Sequence, residues 1–156
     1  MKPWELVAER SPNEPDEVER ILRRLPEWFG IEQSLRDYVD DARRLPTYLV
    51  RDPDDIVVGV LLVKRHFPSA AEVHLMAVDR AWHRRGVGRA LLRALEADLA
   101  AEGVRFLQVK TLSAARPDEN YARTREFYLA QGFTPLEEFS DLWDEHNPCL
   151  QLVKSL

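Results

Sequence analysis

Three groups of chemistry-bearing residues lie close together in this sequence. They are a carboxylate and an imidazole at Glu72 and His74, a glycine-containing basic run at Arg84-Arg85-Gly86-Val87-Gly88-Arg89, and an aromatic pair at Phe127-Tyr128. A carboxylate or imidazole can take a proton from an attacking group, and a tyrosine hydroxyl can return one to a leaving group. A glycine turn that opens a helix offers backbone N–H groups without partners and the positive end of a dipole, which together suit a phosphate. Each group also has a plainer account. Glu72 can be a solvated rim residue, His74 a structural histidine, the arginines a solvated helix face, and the aromatic pair part of a core.

The elements that would position these groups follow from periodicity. Glu72 to Val78 reads as a strand, with Glu72, His74, Met76 and Val78 expected on one face and Val73, Leu75 and Ala77 on the other. Gly86 and Gly88 lead into Ala90, Leu91, Leu92, Ala94, Leu95 and Leu99, an apolar set at helical spacing that Gly103 ends. Val104 to Thr111 is the next strand, so strand, helix and strand make a right-handed crossover with parallel pairing. The glycine turn is not a dinucleotide fingerprint, because Leu91 stands where a third glycine belongs, and no Gly-Lys-Ser/Thr phosphate loop is present.

The remaining chain builds around that unit. Trp4 to Glu9 reads as a first strand. Two amphipathic helices follow, one carrying Val18, Ile21, Leu22 and Leu25 and closed by Pro26 and Gly30, the other spanning Ser34 to Leu45 before Pro46. Thr47 to Arg51 and Ile56 to Lys64 are expected as a hairpin across Asp52-Pro53-Asp54-Asp55, with Gly59 marking a bulge. Asn120 to Gln131 reads as a helix, and Thr134 to Phe139 and Cys149 to Lys154 as the last strands, joined by an acidic loop holding Trp143. The result is a mixed α/β fold in one domain over residues 1–156.

The turn His83-Arg84-Arg85-Gly86-Val87-Gly88 resembles the central motif of the GNAT superfamily of acyl-CoA-dependent N-acyltransferases, Gln/Arg-x-x-Gly-x-Gly/Ala, with His83 where the family usually has Gln or Arg. Phe127-Tyr128-Leu129-Ala130-Gln131-Gly132-Phe133 resembles a second motif of the family, Phe-Tyr-x-x-x-Gly-Phe, and the order of elements over nearly the whole chain is the family's order. The resemblance implies a GNAT fold, a central mixed sheet of six to seven strands with helices on both faces, whose two parallel strands splay to admit the pantetheine arm. It further implies acetyl transfer from acetyl-CoA to a primary amine by direct attack. Glu72 would act as base, directly or through water, with His74 as relay or pocket wall. The Met76 N–H would polarise the thioester at a bulge of its strand, with Ala77 and Val78 continuing along the coenzyme. Arg84, Arg85, Gly86, Val87, Gly88, Arg89 and Ala90 would cradle the pyrophosphate, and Tyr128 would act as acid. Where the family often has an asparagine seven residues before that tyrosine, Tyr121 stands here with Asn120 one earlier, so Asn120 is the candidate coenzyme contact, and Thr124 replaces a small residue four before it.

Composition narrows the alternatives. A net charge of −5 with 31% charged residues opposes a nucleic-acid partner, since only the 84 to 93 stretch is locally basic. The acidity favours cationic acceptors, and Trp143 with Glu137, Glu138, Asp141, Asp144 and Glu145 offers a place to hold one. The single cysteine, Cys149, points to a reducing, cytoplasmic setting, and no apolar run suggests a membrane partner. The four histidines show no metal-ligand spacing. A homodimer is the expected assembly by resemblance. The competing class is an acyl-CoA sensor or interaction module that keeps the phosphate cradle without productive chemistry.

Overall fold

The computed structural model describes residues 3–156. Seven strands form one sheet in the order β1-β2-β3-β4-β5-β7-β6. The strands are β1 (Ala8–Ser11), β2 (Thr47–Arg51), β3 (Val57–Phe67), β4 (Ala70–Val78), β5 (Phe106–Leu112), β6 (Thr134–Asp144) and β7 (Asn147–Ser155). The helices are α1 (Pro15–Arg23), α2 (Glu32–Asp41), α3 (Val87–Ala101) and α4 (Glu119–Ala130). The expected order of elements is therefore present, and the β4–α3–β5 unit pairs in parallel as the crossover requires.

Alternation along the central strands divides the core in two. Leu49, Val60, Leu62, Leu75 and Ala77 pack with Val18, Ile21 and Leu22 of α1 and Leu35 and Val39 of α2. Tyr48, Val50, Leu61, Val63, Val73, Val109 and Leu152 pack instead with Leu91, Leu92 and Leu95 of α3 and Tyr128 of α4. Helices thus cover both faces, and α3 and α4 share one of them.

Several boundaries differ from the sequence reading. The first strand is Ala8–Ser11 rather than Trp4 to Glu9, because β2 offers partners only from Thr47 to Val50, and Trp4 lies edge-on to Trp82 with ring centroids 5.6 Å apart. The segment expected as an acidic loop is the outer half of β6. Asp144 closes a tight hairpin, its Oδ1 accepting the His146 N–H at 2.8 Å and both oxygens accepting from Asn147 Nδ2. Those bonds, the Asn147 amide first, hold the Asp144 carboxyl below its usual range.

Gly59 pairs with Val50 beside a register shift, and its chief constraint is closeness. A Cβ there would stand 2.5 Å from Val87 Cγ1, in the first turn of α3. Gly59 therefore lets the start of α3 sit directly on the sheet. Gly59→Val is expected to lower stability by about 2 kcal/mol, a fall in Tm of roughly 4–8 °C, because stiff Val87 cannot yield cheaply. Thermal unfolding followed by circular dichroism checks this, and an unchanged Tm would contradict the packing role.

Candidate active site

The site begins where β4 and β5 part. Ala70, Ala71, Glu72 and Val73 pair with Phe106, Leu107, Gln108 and Val109, and beyond Val73 and Val109 the two strands no longer pair. A cleft of about 850 Å³ opens from this gap. Its walls come from β4, from the turn and first residues of α3, from α4, from the α1–α2 connection, and from Lys110 and Thr111 of β5. The β4 edge from His74 to Val78 has no strand partner on this side; His83 Nε2 donates to Val78 O at 2.7 Å, and the backbone groups before it are open to a ligand.

The expected period-2 face of β4 is broken by a bulge. Leu62 pairs with Leu75 while Val63 pairs with Val73, leaving His74 as an extra residue on β4. In consequence Val73 packs under α3 while Leu75 and Ala77 pack under α1 and α2, and Met76 and Val78 lie against the α3 side. Met76, Ala77, Val78 and His74 all line the cleft. The bulge is at His74, two residues before Met76.

Glu72 behaves differently. It is 8% exposed and is not among the lining residues. His66 Nε2 lies 2.7 Å from its Oε1, and Lys110 Nζ lies 3.3 Å from both oxygens. Its carboxylate stands behind the wall, at the crotch of the gap. His74 is on the wall itself, with Nε2 2.7 Å from Asp41 Oδ2 and its ring edge-on to Tyr38 at 5.5 Å. That contact leaves Nδ1 without a partner among the described residues.

The turn into α3 is shaped for an anion. Asp79, buried at the end of β4, accepts the Ala81 N–H at 3.0 Å and Arg24 Nε at 2.8 Å, which fixes the exit of the strand. Burial opposes its charge, but the bonds from Arg24 and Ala81 prevail and leave its pKa below the ordinary value. Arg84 and Gly86 then take left-handed backbone, φ 61° and 86°, and a Cβ on Gly86 would meet nothing within 4 Å. Ala90 N–H bonds to Gly86 O at 3.0 Å, while the N–H groups of Val87, Gly88 and Arg89 have no partner among the described residues. Arg84, Gly86, Val87, Gly88 and Arg89 line the cleft; Arg85 and Ala90 do not, and the Arg85 guanidinium sits 4.9 Å over the Trp82 ring. Gly88 has a packing reason of its own, since a Cβ there would stand 3.0 Å from Phe127 Cζ.

Tyr128 reaches the cleft from α4. Its ring packs edge-on to Phe127 at 5.3 Å and to Phe133 at 5.4 Å. Among the described residues the one fully buried side-chain polar atom without a partner is Glu96 Oε2. The Tyr128 hydroxyl, which has no hydrogen-bond partner there either, is thus not sealed in the core and opens into the cleft. Burial drives its pKa well above that of a free tyrosine, so it holds its proton. Asn120 lies outside the lining. Asp118 is the cap of α4, accepting the N–H groups of Asn120 and Tyr121 at 2.9 and 3.1 Å.

Sequence reasoning missed Trp28, which the three unusual positions of the motifs surround. The His83 ring lies edge-on to Trp28 at 5.6 Å, Trp28 Nε1 donates to Thr124 Oγ1 at 3.1 Å, and the Tyr121 hydroxyl donates to Trp28 O at 2.9 Å. Burial pushes the Tyr121 pKa up to about 12. These contacts tie the α1–α2 connection to α4 across the cleft, and the departures at 83, 121 and 124 were the signal. Lys110 was missed as well; its place beside Glu72 follows only from β4–β5 pairing. Of the acidic stretch expected to hold a cation, Trp143 alone lines the cleft.

Comparison with known proteins gives the family and the fold. The family description of an acetyltransferase (GNAT) domain matches residues 44–135. The chain is 45% identical over 53 residues to N-alpha-acetyltransferase RimI of Mycobacterium tuberculosis, a match covering 34% of this chain and about a third, 33%, of that relative's length. Among solved structures, a protein assigned to the GNAT family from Desulfovibrio desulfuricans superposes with TM-score 0.80 at 19% identity, over 97% of this chain and 99% of that one. The ribosomal-protein-S18-alanine N-acetyltransferase of Escherichia coli gives 0.74 at 17%, over 96% and 94%. An aminoglycoside 6'-N-acetyltransferase complexed with coenzyme A gives 0.74 at 17%, over 96% of each chain. At such identities the structural likeness is one of fold.

Proposed function

The chain belongs to the GNAT family of acetyltransferases, and from that premise we propose that it moves the acetyl group of acetyl-CoA to a primary amine by direct attack in a ternary complex. The observation that carries the reading is that one cleft is lined at once by the free N–H groups opening α3, the unpaired edge of β4 and the unpartnered hydroxyl of Tyr128. The coenzyme pyrophosphate would lie on the Val87, Gly88 and Arg89 N–H groups between Arg84 and Arg89, with its arm running along Met76, Ala77 and Val78 toward the gap. The outward backbone N–H groups of β4, Met76 foremost, would polarise the thioester oxygen as charge gathers on it.

The amine nitrogen attacks the thioester carbon, a C–N bond forms and the C–S bond breaks, and the nitrogen sheds one proton while the sulfur gains one. We assign acceptance of the amine proton to His74, whose Nε2 is engaged by Asp41 and whose Nδ1 is free to receive it. Glu72, with both oxygens directed at Lys110 and His66, would fix the charge behind that wall and take the proton onward through water. Tyr128 would protonate the departing thiolate.

The test is calorimetric titration with acetyl-CoA and, separately, ATP, followed by thiol release against a panel of amines. Selective micromolar binding of acetyl-CoA with amine-dependent thiol release is the expected outcome. Binding without release for any amine would support the acyl-CoA sensor instead, and no binding at millimolar coenzyme would remove the cradle.

A further inference from the structure

The acceptor end of the cleft has aromatic walls and a fixed positive charge. Trp28, Phe29, Tyr38, Tyr121 and Trp143 all line the cleft, and of these Tyr38 stands edge-on to His74 at 5.5 Å with Phe29 edge-on to Tyr38 at 5.9 Å. Lys110 lines it too, whereas its partner Glu72 does not. The Lys110–Glu72 contact of 3.3 Å is longer than the roughly 2.7–2.9 Å of a tight charge-assisted bond. An ammonium carries three donors and Glu72 takes two of them, so Lys110 keeps one for a further acceptor. Val73 and Val109 are the last paired rung, and His74 and Lys110 are the next residue on each strand, so the two flank the mouth of the gap.

Two carboxylates beside the cleft are already paired. Asp41 bonds to His74 and Arg44, and Glu27 to Arg80. Glu137, Glu138, Asp141, Asp144 and Glu145 lie outside the lining. On α4, Glu126 lines the cleft one turn from Arg123, and neither forms an ion pair among the described residues. A polycationic acceptor would bring an extra ammonium group against Lys110, and the one carboxylate lining the cleft among the described residues, Glu126, stands on α4 rather than at the strand gap.

Resting on the acetyltransferase reading above, we propose that the acceptor is a small α-amino acid with an aromatic or large apolar side chain. Its amine stands at His74, its carboxylate on Lys110 and its side chain against the Tyr38 and Phe29 rings beside His74. Amine and carboxylate on a single carbon match two reading groups that flank one strand gap, whose backbones stand about 4.8 Å apart where strands still pair and farther apart beyond. The reaction retains the carboxylate and converts the amine to an amide, which removes the positive charge of the amino acid and gives an N-acetyl acid.

Thiol release is measured for phenylalanine, phenylalaninamide and spermidine with the wild-type protein, Lys110→Met and Lys110→Arg. The wild type is expected to prefer phenylalanine over the amide by about 10–100-fold in kcat/KM, the range of one charged hydrogen bond. Lys110→Met is expected to bring that ratio near one, and Lys110→Arg to keep most of it. Equal use of phenylalanine and its amide, a preference for spermidine, or a ratio unmoved by Lys110→Met overturns the carboxylate subsite while leaving acetyl transfer in place. If acetyl-CoA binds but no amine releases thiol, it is the transferase reading that fails. The subsite is then judged by titrating phenylalanine into the coenzyme A-saturated protein: binding weakened about tenfold by Lys110→Met upholds it, and absence of binding overturns it.

Discussion

Gly86→Glu is expected to weaken acetyl-CoA binding by at least about 100-fold while the protein stays folded. Two separate features of the turn require this. Gly86 has φ 86°, where a side chain costs roughly 1–2 kcal/mol, and a Cβ would meet nothing within 4 Å, so the fold loses only that strain, roughly 2–8 °C in Tm. The new carboxylate, however, enters open space at the residue immediately before the N–H groups of Val87, Gly88 and Arg89 and can reach them. It would occupy the place of a phosphate and repel one. Removing two charge-assisted hydrogen bonds together costs more than about 2.7 kcal/mol, which is about 100-fold in affinity. Gly86→Ala separates the effects, since it carries the strain without the charge and should lose only a few-fold. Calorimetry and thermal melts of both variants decide the matter, and near-wild-type affinity in Gly86→Glu would mean that the turn does not hold the coenzyme.

Tyr128→Phe should lower kcat by about 10²–10⁴-fold, the usual contribution of a positioned acid, with the acetyl-CoA dissociation constant within about threefold of wild type. The substitution keeps the ring between Phe127 and Phe133 and deletes only a hydroxyl that no protein group among the described residues uses. Stability should therefore change little, and a loss of activity cannot be laid to packing. Burial raises the Tyr128 pKa above that of a free tyrosine, so the acid stays protonated as pH rises and departs only above the free value, about 10. An alkaline fall in turnover below that pH would belong to another group. Equal losses in kcat and coenzyme affinity would remove the acid role and leave Tyr128 as a core residue.

The parallel pairing of β4 with β5 was legible because local patterns carried it. The apolar spacing from Ala90 to Leu99, the stop at Gly103 and the β-rich stretch that follows demand a strand–helix–strand crossover, and handedness does the rest. The glycine turn was legible for a similar reason, since Gly86 sits where left-handed backbone is needed and its neighbours are cationic. Other parts had no local signature. The bulge at His74 arises from the match of β4 to β3, and it moves Leu75 to the face opposite Val73 although alternation within β4 alone places them together. Trp143 read as part of a loop because the acids around it suit solvent; the Asp144–Asn147 turn keeps that stretch in β6.

Local sequence was enough to dictate which backbone groups would be left unpaired at the start of α3, which helix faces would seek the sheet, and that a tyrosine would follow near the end of α4. Those are consequences of neighbours within a turn or two, and short-range sterics and periodicity decide them. What the cleft presents to an acceptor came instead from long-range packing. Glu72 is drawn behind the wall by Lys110, which is 38 residues distant in the chain, His74 is held by Asp41, 33 residues distant, and Trp28 crosses to Thr124 over 96. Such pairings depend on strand register and on the angle at which β4 and β5 part, and no local pattern encodes either, so the charge and shape of the acceptor end exist only once the sheet has closed around them.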